Sequence, residues 1–170
     1  MLARVSICDF RGRVILDTYV RPTQPVTNYF NTGITPANLA SGSSIDDVRS
    51  FVALQIRNKI IVGFKLYEDL KMLRLVHPAL ATRDIHQYWP YRDALLPLAR
   101  PEDRTMNIDL PIYIFRLMGH RIAVNTHDSL ENARACMDLY RSTRAWETDY
   151  EATGDWPCMI YPGEFQQYFT

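Results

Sequence analysis

The run Lys59-Ile60-Ile61-Val62-Gly63 constrains the fold of this chain more than any other stretch. It is short, apolar without alternation, and ends in glycine. A strand with one wet face alternates apolar and polar residues, so an unbroken apolar run suits a buried parallel strand. Helical spacing lies on both sides of it. Before it, Ser44 caps a helix whose Ile45, Val48, Val52 and Ile56 recur at helical spacing. After it, Leu66, Leu70, Leu73 and Leu75 mark a short helix that stops near His77-Pro78. Upstream, Leu2 to Ile7 alternates at period two, and Val14-Ile15-Leu16 with Tyr19-Val20 forms a second strand. The turn Asp9-Phe10-Arg11-Gly12 between them predicts a β-hairpin.

The remaining stretches fill in the order of elements. Residues 21 to 44 hold three prolines and two glycines and read as an irregular connection, with one helical turn near Pro36-Ala37-Asn38-Leu39. Arg83-Asp84-Ile85-His86 reads as a last short strand. Residues 88 to 105, with Pro90, Pro97 and Pro101, read as loop. Ile108 to Met118 is helical and ended by Gly119. Ser129 to Trp146 is the longest helix, capped by Asp128-Ser129, with Leu130, Ala133, Cys136, Met137 and Tyr140 on its apolar face. Strands first, then strand alternating with helix, give an α/β fold with a mixed sheet flanked by helices. Residues 1–149 form one domain. Residues 150–170 are a divergent, aromatic-rich tail packed on that domain or on a partner.

Composition removes several classes. A chain of 170 residues, 47% hydrophobic and 22% charged, buries enough surface to fold without disulfides or a structural metal. Nineteen basic and 19 acidic side chains cancel, so no global charge points to nucleic acid, although a local groove can still be basic. Apolar runs such as Ile60-Ile61-Val62 are too short to cross a bilayer. Met1 leads into the first strand without a charged head or long apolar stretch, so no secretory signal is expected. Cys8, Cys136 and Cys158 are scattered and odd in number, as expected of reduced thiols in an intracellular protein of nucleus or cytoplasm.

Three stretches carry a resemblance together. The first is Leu2 to Ile7 followed by Val14 to Pro22, with Pro25-Val26-Thr27 and Gly33-Ile34-Thr35. The second is Ile61-Val62-Gly63-Phe64-Lys65-Leu66-Tyr67-Glu68-Asp69-Leu70-Lys71-Met72-Leu73, with Arg83-Asp84 beyond. The third is His127-Asp128-Ser129-Leu130-Glu131-Asn132-Ala133-Arg134, ending in Leu139-Tyr140. In this order and spacing, over about residues 2 to 147, the chain resembles the DEDDh 3′–5′ exonucleases, specifically their eukaryotic RNA exonuclease branch. The resemblance implies a ribonuclease-H-like fold and a reaction run by two magnesium or manganese ions, which several carboxylates must hold a few ångströms apart. It also implies a histidine as general base for the attacking water.

By that resemblance, Asp69 stands at one metal-ligand position and His127 at the general-base position. Asn132 stands where the family has its last acidic ligand, and an amide brings an oxygen but no charge. The family's Asp-x-Glu pair on its first, central strand is absent, and Asp9 in the hairpin turn is a poor substitute. Phe64 replaces the histidine usual after Val-Gly. The expectation is therefore a degenerate site in which His127 is a vestigial base and no metal is bound tightly. The chain would then serve as a catalytically impaired domain retained to bind nucleic acid, single-stranded RNA above all, or protein. Two alternatives stand beside it. One is an active metal-dependent 3′–5′ RNA exonuclease completed by upstream sequence or another chain. The other is a purely structural or regulatory interaction protein.

The missing central strand would leave the hairpin and the Lys59–Val62 strand with open edges. The candidates to fill the gap are Cys158-Met159-Ile160-Tyr161, a second copy, or a protein partner supplying a strand, with an intermolecular solution preferred. Plainer readings apply elsewhere. Taken alone, Asp69 is a surface carboxylate and His127 a structural loop histidine. Arg83-Asp84 reads as a local ion pair or turn, and His77, His86 and His120 as ordinary. Arg134, Arg141 and Arg144, with Asp138 and Glu147, form a solvated salt-bridged face rather than a phosphate track. Tyr29 and Phe30 pack in the core or stack on bases. Trp156, Tyr161 and Phe165 pack on the body.

Overall fold

The computed structural model describes residues 1–26, 29, 32–95, 108–124, 126–143 and 163–170. The predicted hairpin is β1 (Arg4–Cys8) and β2 (Val14–Tyr19), antiparallel, with a register shift between Ile7 and Cys8. Asp9 closes the turn, its carboxylate accepting the backbone N–H groups of Arg11 and Arg13. Next come α1 (Pro36–Ala40), opened by a capping box between Thr35 and Asn38, and α2 (Ile45–Ile56), whose Ser44 cap accepts from the Asp47 N–H. Gly42 sits between them so close to β2 that a Cβ there would lie 2.8 Å from the Arg21 nitrogen.

The apolar run forms β3 (Ile61–Gly63), followed by α3 (Leu66–Leu73) and β4 (Thr82–Asp84). β3 and β4 pair in parallel, as the unbroken apolar run requires. The 88–105 stretch is not all loop. Trp89–Leu95 forms α4, because Pro90 falls in the first turn, where a missing N–H costs nothing, and Tyr91, Arg92 and Leu95 are buried along one face. α5 (Leu110–Met118) ends on Gly119 in the left-handed region, and α6 (Ser129–Ser142) is capped by Asp128.

The four strands form two separate pairs, β1–β2 and β3–β4. Among the described residues nothing joins β1 to β3, so the hairpin does not close onto the parallel pair. The core is divided in the same way. Val20, Val48, Val52 and Leu73 make one cluster, between the hairpin and α2. Ile85, Tyr88, Leu95, Tyr113, Ile114 and Leu139 lead the other, between β4 and the last three helices. α6 packs against both β1 and β3 and so is common to the two halves. The segment Cys158–Tyr161, a candidate strand to fill the gap, lies outside the described residues, as do Phe30, Arg144, Glu147 and Trp156. The end of the chain instead runs beside residues 77–79, where the His77 N–H donates to the Tyr168 carbonyl and the Thr170 N–H to the His77 carbonyl. There Phe165 rests on Tyr67, with ring centroids 4.5 Å apart. Among the described residues no helix is long and apolar enough to cross a membrane.

Candidate active site

Asp69 lies in the first turn of α3, and the start of that helix is unusual. Its N-cap residue, Lys65, is in the left-handed region (φ 57°) and gives no side-chain cap. The cap comes from another strand. Asp84, at the end of β4 and fully buried, accepts the N–H groups of Lys65 at 3.0 Å, Leu66 at 2.8 Å and His86 at 3.0 Å. Burial pushes the Asp84 carboxyl above its ordinary value, while these N–H groups pull it back. The Arg83 guanidinium donates to the Leu80 carbonyl at 2.8 Å. Asp84 also opens a turn, its carbonyl accepting the Gln87 N–H, and its carboxylate reaches across the β3–α3 elbow as well.

The Asp69 side chain is exposed at the surface. Desolvation there, with the charges of Asp84 and Glu68 nearby, pushes its carboxyl up to about 7. The buried Cys136 thiol is pushed up as well, by burial first and then by the charges of Asp84 and Asp69. Asn132 is one helical turn before Cys136 on the same side. Its amide nitrogen donates to His127 Nε2 at 2.9 Å, and its Oδ1 is buried without a hydrogen-bond partner among the described residues. The amide therefore occupies the ring nitrogen a base would use and turns an unsatisfied oxygen inward.

The α6 end of the site is held by charges from the hairpin. Arg4 donates to both oxygens of Asp17 at 2.8 Å and to Asp128 at 2.9 Å. Ser6 and Ser129 share a 2.6 Å hydrogen bond. Asp128 also accepts the N–H groups of Leu130 and Glu131, so one carboxylate both caps α6 and ties it to β1. Arg4 holds Asp17 below the usual carboxylate range, and the Glu131 N–H, then Arg4, do so for Asp128. Arg4→Ala should cost about 1–2 kcal/mol near neutral pH, since both carboxylates are partly solvated. Because these pKa values are lowered on folding, the stabilisation is complete above about pH 5 and is lost as acid titrates the carboxylates. Urea melts should show a gap between wild type and variant that is constant above that pH and closes below it. A gap that persists in acid would assign the loss to packing instead.

No protein-family model matches the chain. Individual proteins do. RNA exonuclease 4 of Cryptococcus neoformans is 37% identical over 149 residues, which is 86% of this chain and 35% of that protein. The human RNA exonuclease 4 is 35% identical over 151 residues, 87% of this chain and 34% of its own. The chain is a relative of the eukaryotic DEDDh-type RNA exonucleases. It spans about a third of the length of these curated relatives. Among solved structures, the Neurospora crassa Pan2 catalytic unit (protease and nuclease domain) superposes with a TM-score of 0.66 at 22% identity, covering 89% of this chain and 25% of that one. The Saccharomyces cerevisiae Pan2 module in complex with AAGGA RNA gives 0.65, also at 22% identity and with the same coverage. The fold is therefore ribonuclease-H-like, with its sheet in two halves among the described residues.

The described residues show no ready-made cage for a cation. Asp84 spends its oxygens on backbone N–H groups, Asn132 is neutral, and among the described residues no three His, Cys, Asp or Glu side chains converge. Asp69 is one carboxylate that a cation could meet. Sequence reasoning reaches Asp69, His127 and Asn132, but misses that Asp84 builds the helix start under Asp69 and that Arg4 anchors the helix carrying Asn132. Arg83-Asp84 is visible in the second motif stretch. Its partners, 18 and 19 residues back in the chain, are not.

Proposed function

We propose that this chain is an exonuclease-like domain, residues 1–149 with 150–170 as an appended tail, that contacts single-stranded RNA inside the cell. We further propose that by its own residues it is catalytically impaired. The observation that carries this reading is Asn132, whose amide is bonded to His127 where the RNA exonuclease relatives are expected to hold a carboxylate. Binding of RNA is supported by the homology, with Asp69 and His127 retained at their family positions.

A second reading is an active, metal-dependent 3′–5′ exoribonuclease completed by upstream sequence or another chain. It is favoured by the relatives' name, RNA exonuclease, by their greater length, and by the edges of β1 and β3 that no described strand pairs. A strand laid between those edges, from a protein partner or a second copy, would satisfy their backbone groups. The test uses RNA labelled at its 5′ end, with magnesium and then manganese, and compares wild type, His127→Ala and Asn132→Asp. The impaired reading expects intact RNA with wild type. It also expects Asn132→Asp to melt within about 1 kcal/mol of wild type, since the new carboxylate can accept a hydrogen bond from the His127 ring. A ladder shortening from the 3′ end in wild type, absent in His127→Ala, would establish the second reading. Salt-dependent RNA binding without cleavage supports the first, and no RNA binding at all defeats both.

A further inference from the structure

Two exposed phenylalanine rings, Phe115 and Phe10, each lie beside a guanidinium. Phe115, on the outward face of α5, has the Arg121 guanidinium 5.3 Å and the Arg116 guanidinium 5.9 Å from its ring centroid. Phe10, 61% exposed at the hairpin turn, has the Arg141 guanidinium 5.8 Å from its centroid. Arg121 also lines a hollow of about 660 Å³, with His120 and Val124 from the loop after α5 and with Asp128, Glu131, Arg134 and Asp138 at and along α6. Arg134 reaches the hairpin turn by donating to the Gly12 carbonyl at 3.0 Å, and Arg141 does the same to the Phe10 carbonyl at 3.0 Å.

The carboxylates on this face are committed locally. Asp128 is bonded to Arg4, Asp138 to Arg141, and Glu131 accepts the Ala123 N–H. Arg11, Arg116, Arg121 and Arg134 form no ion pair among the described residues. Around Phe115, a globally neutral chain thus presents two arginines without an ion pair among the described residues beside an exposed ring. This is the combination that tracks a phosphate backbone while stacking bases.

We propose that this face is a further binding surface for single-stranded RNA, besides the Asp69 position, with Phe115 as a base platform and Arg116 and Arg121 as phosphate-binding cations. It rests on the RNA-contacting reading given above. The rings favour RNA over an acidic polypeptide, which would need the charges alone.

The test measures the affinity of the whole chain for a fluorescent oligoadenylate across a salt series, for wild type, Phe115→Ala and the double variant Arg116→Glu/Arg121→Glu. All three positions are exposed, and thermal melts verify that the variants fold. The double variant should bind about ten-fold more weakly or worse, with a salt slope shallower by about 0.7 for each phosphate it no longer neutralises. Phe115→Ala should weaken binding at least about five-fold with the slope unchanged. If wild type binds and both variants match it in affinity and slope, this surface is wrong while the RNA-contacting reading stands. If wild type does not bind, both fall. If polyglutamate competes as well as RNA and Phe115→Ala has no effect, the surface is a site for acidic protein and the proposal is overturned.

Discussion

Asp84→Ala is expected to lose about 3–5 kcal/mol of folding stability, because three buried backbone N–H groups lose their acceptor at once. α3 cannot make up the loss locally. Its N-cap Lys65 is left-handed and supplies no side-chain cap, so the first turn depends on a carboxylate from β4. The helix also carries Asp69, and the damage should therefore centre on the candidate site. Hydrogen exchange at Lys65 and Leu66 should accelerate more than exchange in α2. Asp84→Asn keeps one oxygen acceptor but turns an NH₂ group towards donors, and should fall between wild type and alanine. Chemical denaturation that places Asp84→Ala within about 1 kcal/mol of wild type would show that the cap is dispensable.

Leu139→Ala should cost a similar amount, about 3–5 kcal/mol, from lost transfer free energy and the cavity left behind. Leu139 is 1% exposed and lies in the cluster with Ile85, Tyr88, Tyr113 and Ile114. Its carbonyl also accepts the Tyr91 hydroxyl at 3.2 Å, linking α6 to α4. Since α6 is the element that touches both strand pairs, loosening it should weaken the connection between the two halves of the core. Ala133→Gly, at a partly buried position on the same helix, provides a comparison limited to helix propensity, about 1 kcal/mol. Thermal melts of the two variants that coincide would mean that Leu139 contributes no more than a residue of helix.

The two expected losses have the same origin, which is packing and bonding between residues far apart in sequence. That is also the boundary of what a sequence reveals. The hairpin, α2, α5 and α6 are legible because their signals are local: period-two alternation around a turn, Ser44 and Asp128 as caps, and Gly119 as a stop. Each reflects hydrogen bonds or side-chain spacing within a few residues. Asp69, His127 and Asn132 are singled out only by their resemblance to family motifs. α4 escapes such reading because three prolines outweigh a short buried face that only neighbouring helices reveal. The arginines of α6 look like a solvated stripe, and Arg141 does pair with Asp138, yet Arg134 and Arg141 also reach carbonyls of the hairpin turn 122 and 131 residues away.

Sequence by itself determined the hairpin, the apolar strand β3 and the helices α2, α5 and α6, and it suggested which residues stand at the family's chemical positions. Those properties follow from local backbone energetics and from residue identity. Tertiary structure alone decided that Asp84 serves as a helix cap and that the Asn132 amide occupies His127 while its oxygen is left unsatisfied among the described residues. It also decided that the core divides into two clusters, with β1 and β3 in separate sheets among the described residues. Each depends on which groups are brought together across the fold and shielded from water, where an unpaired N–H or carbonyl costs far more than it does in solvent.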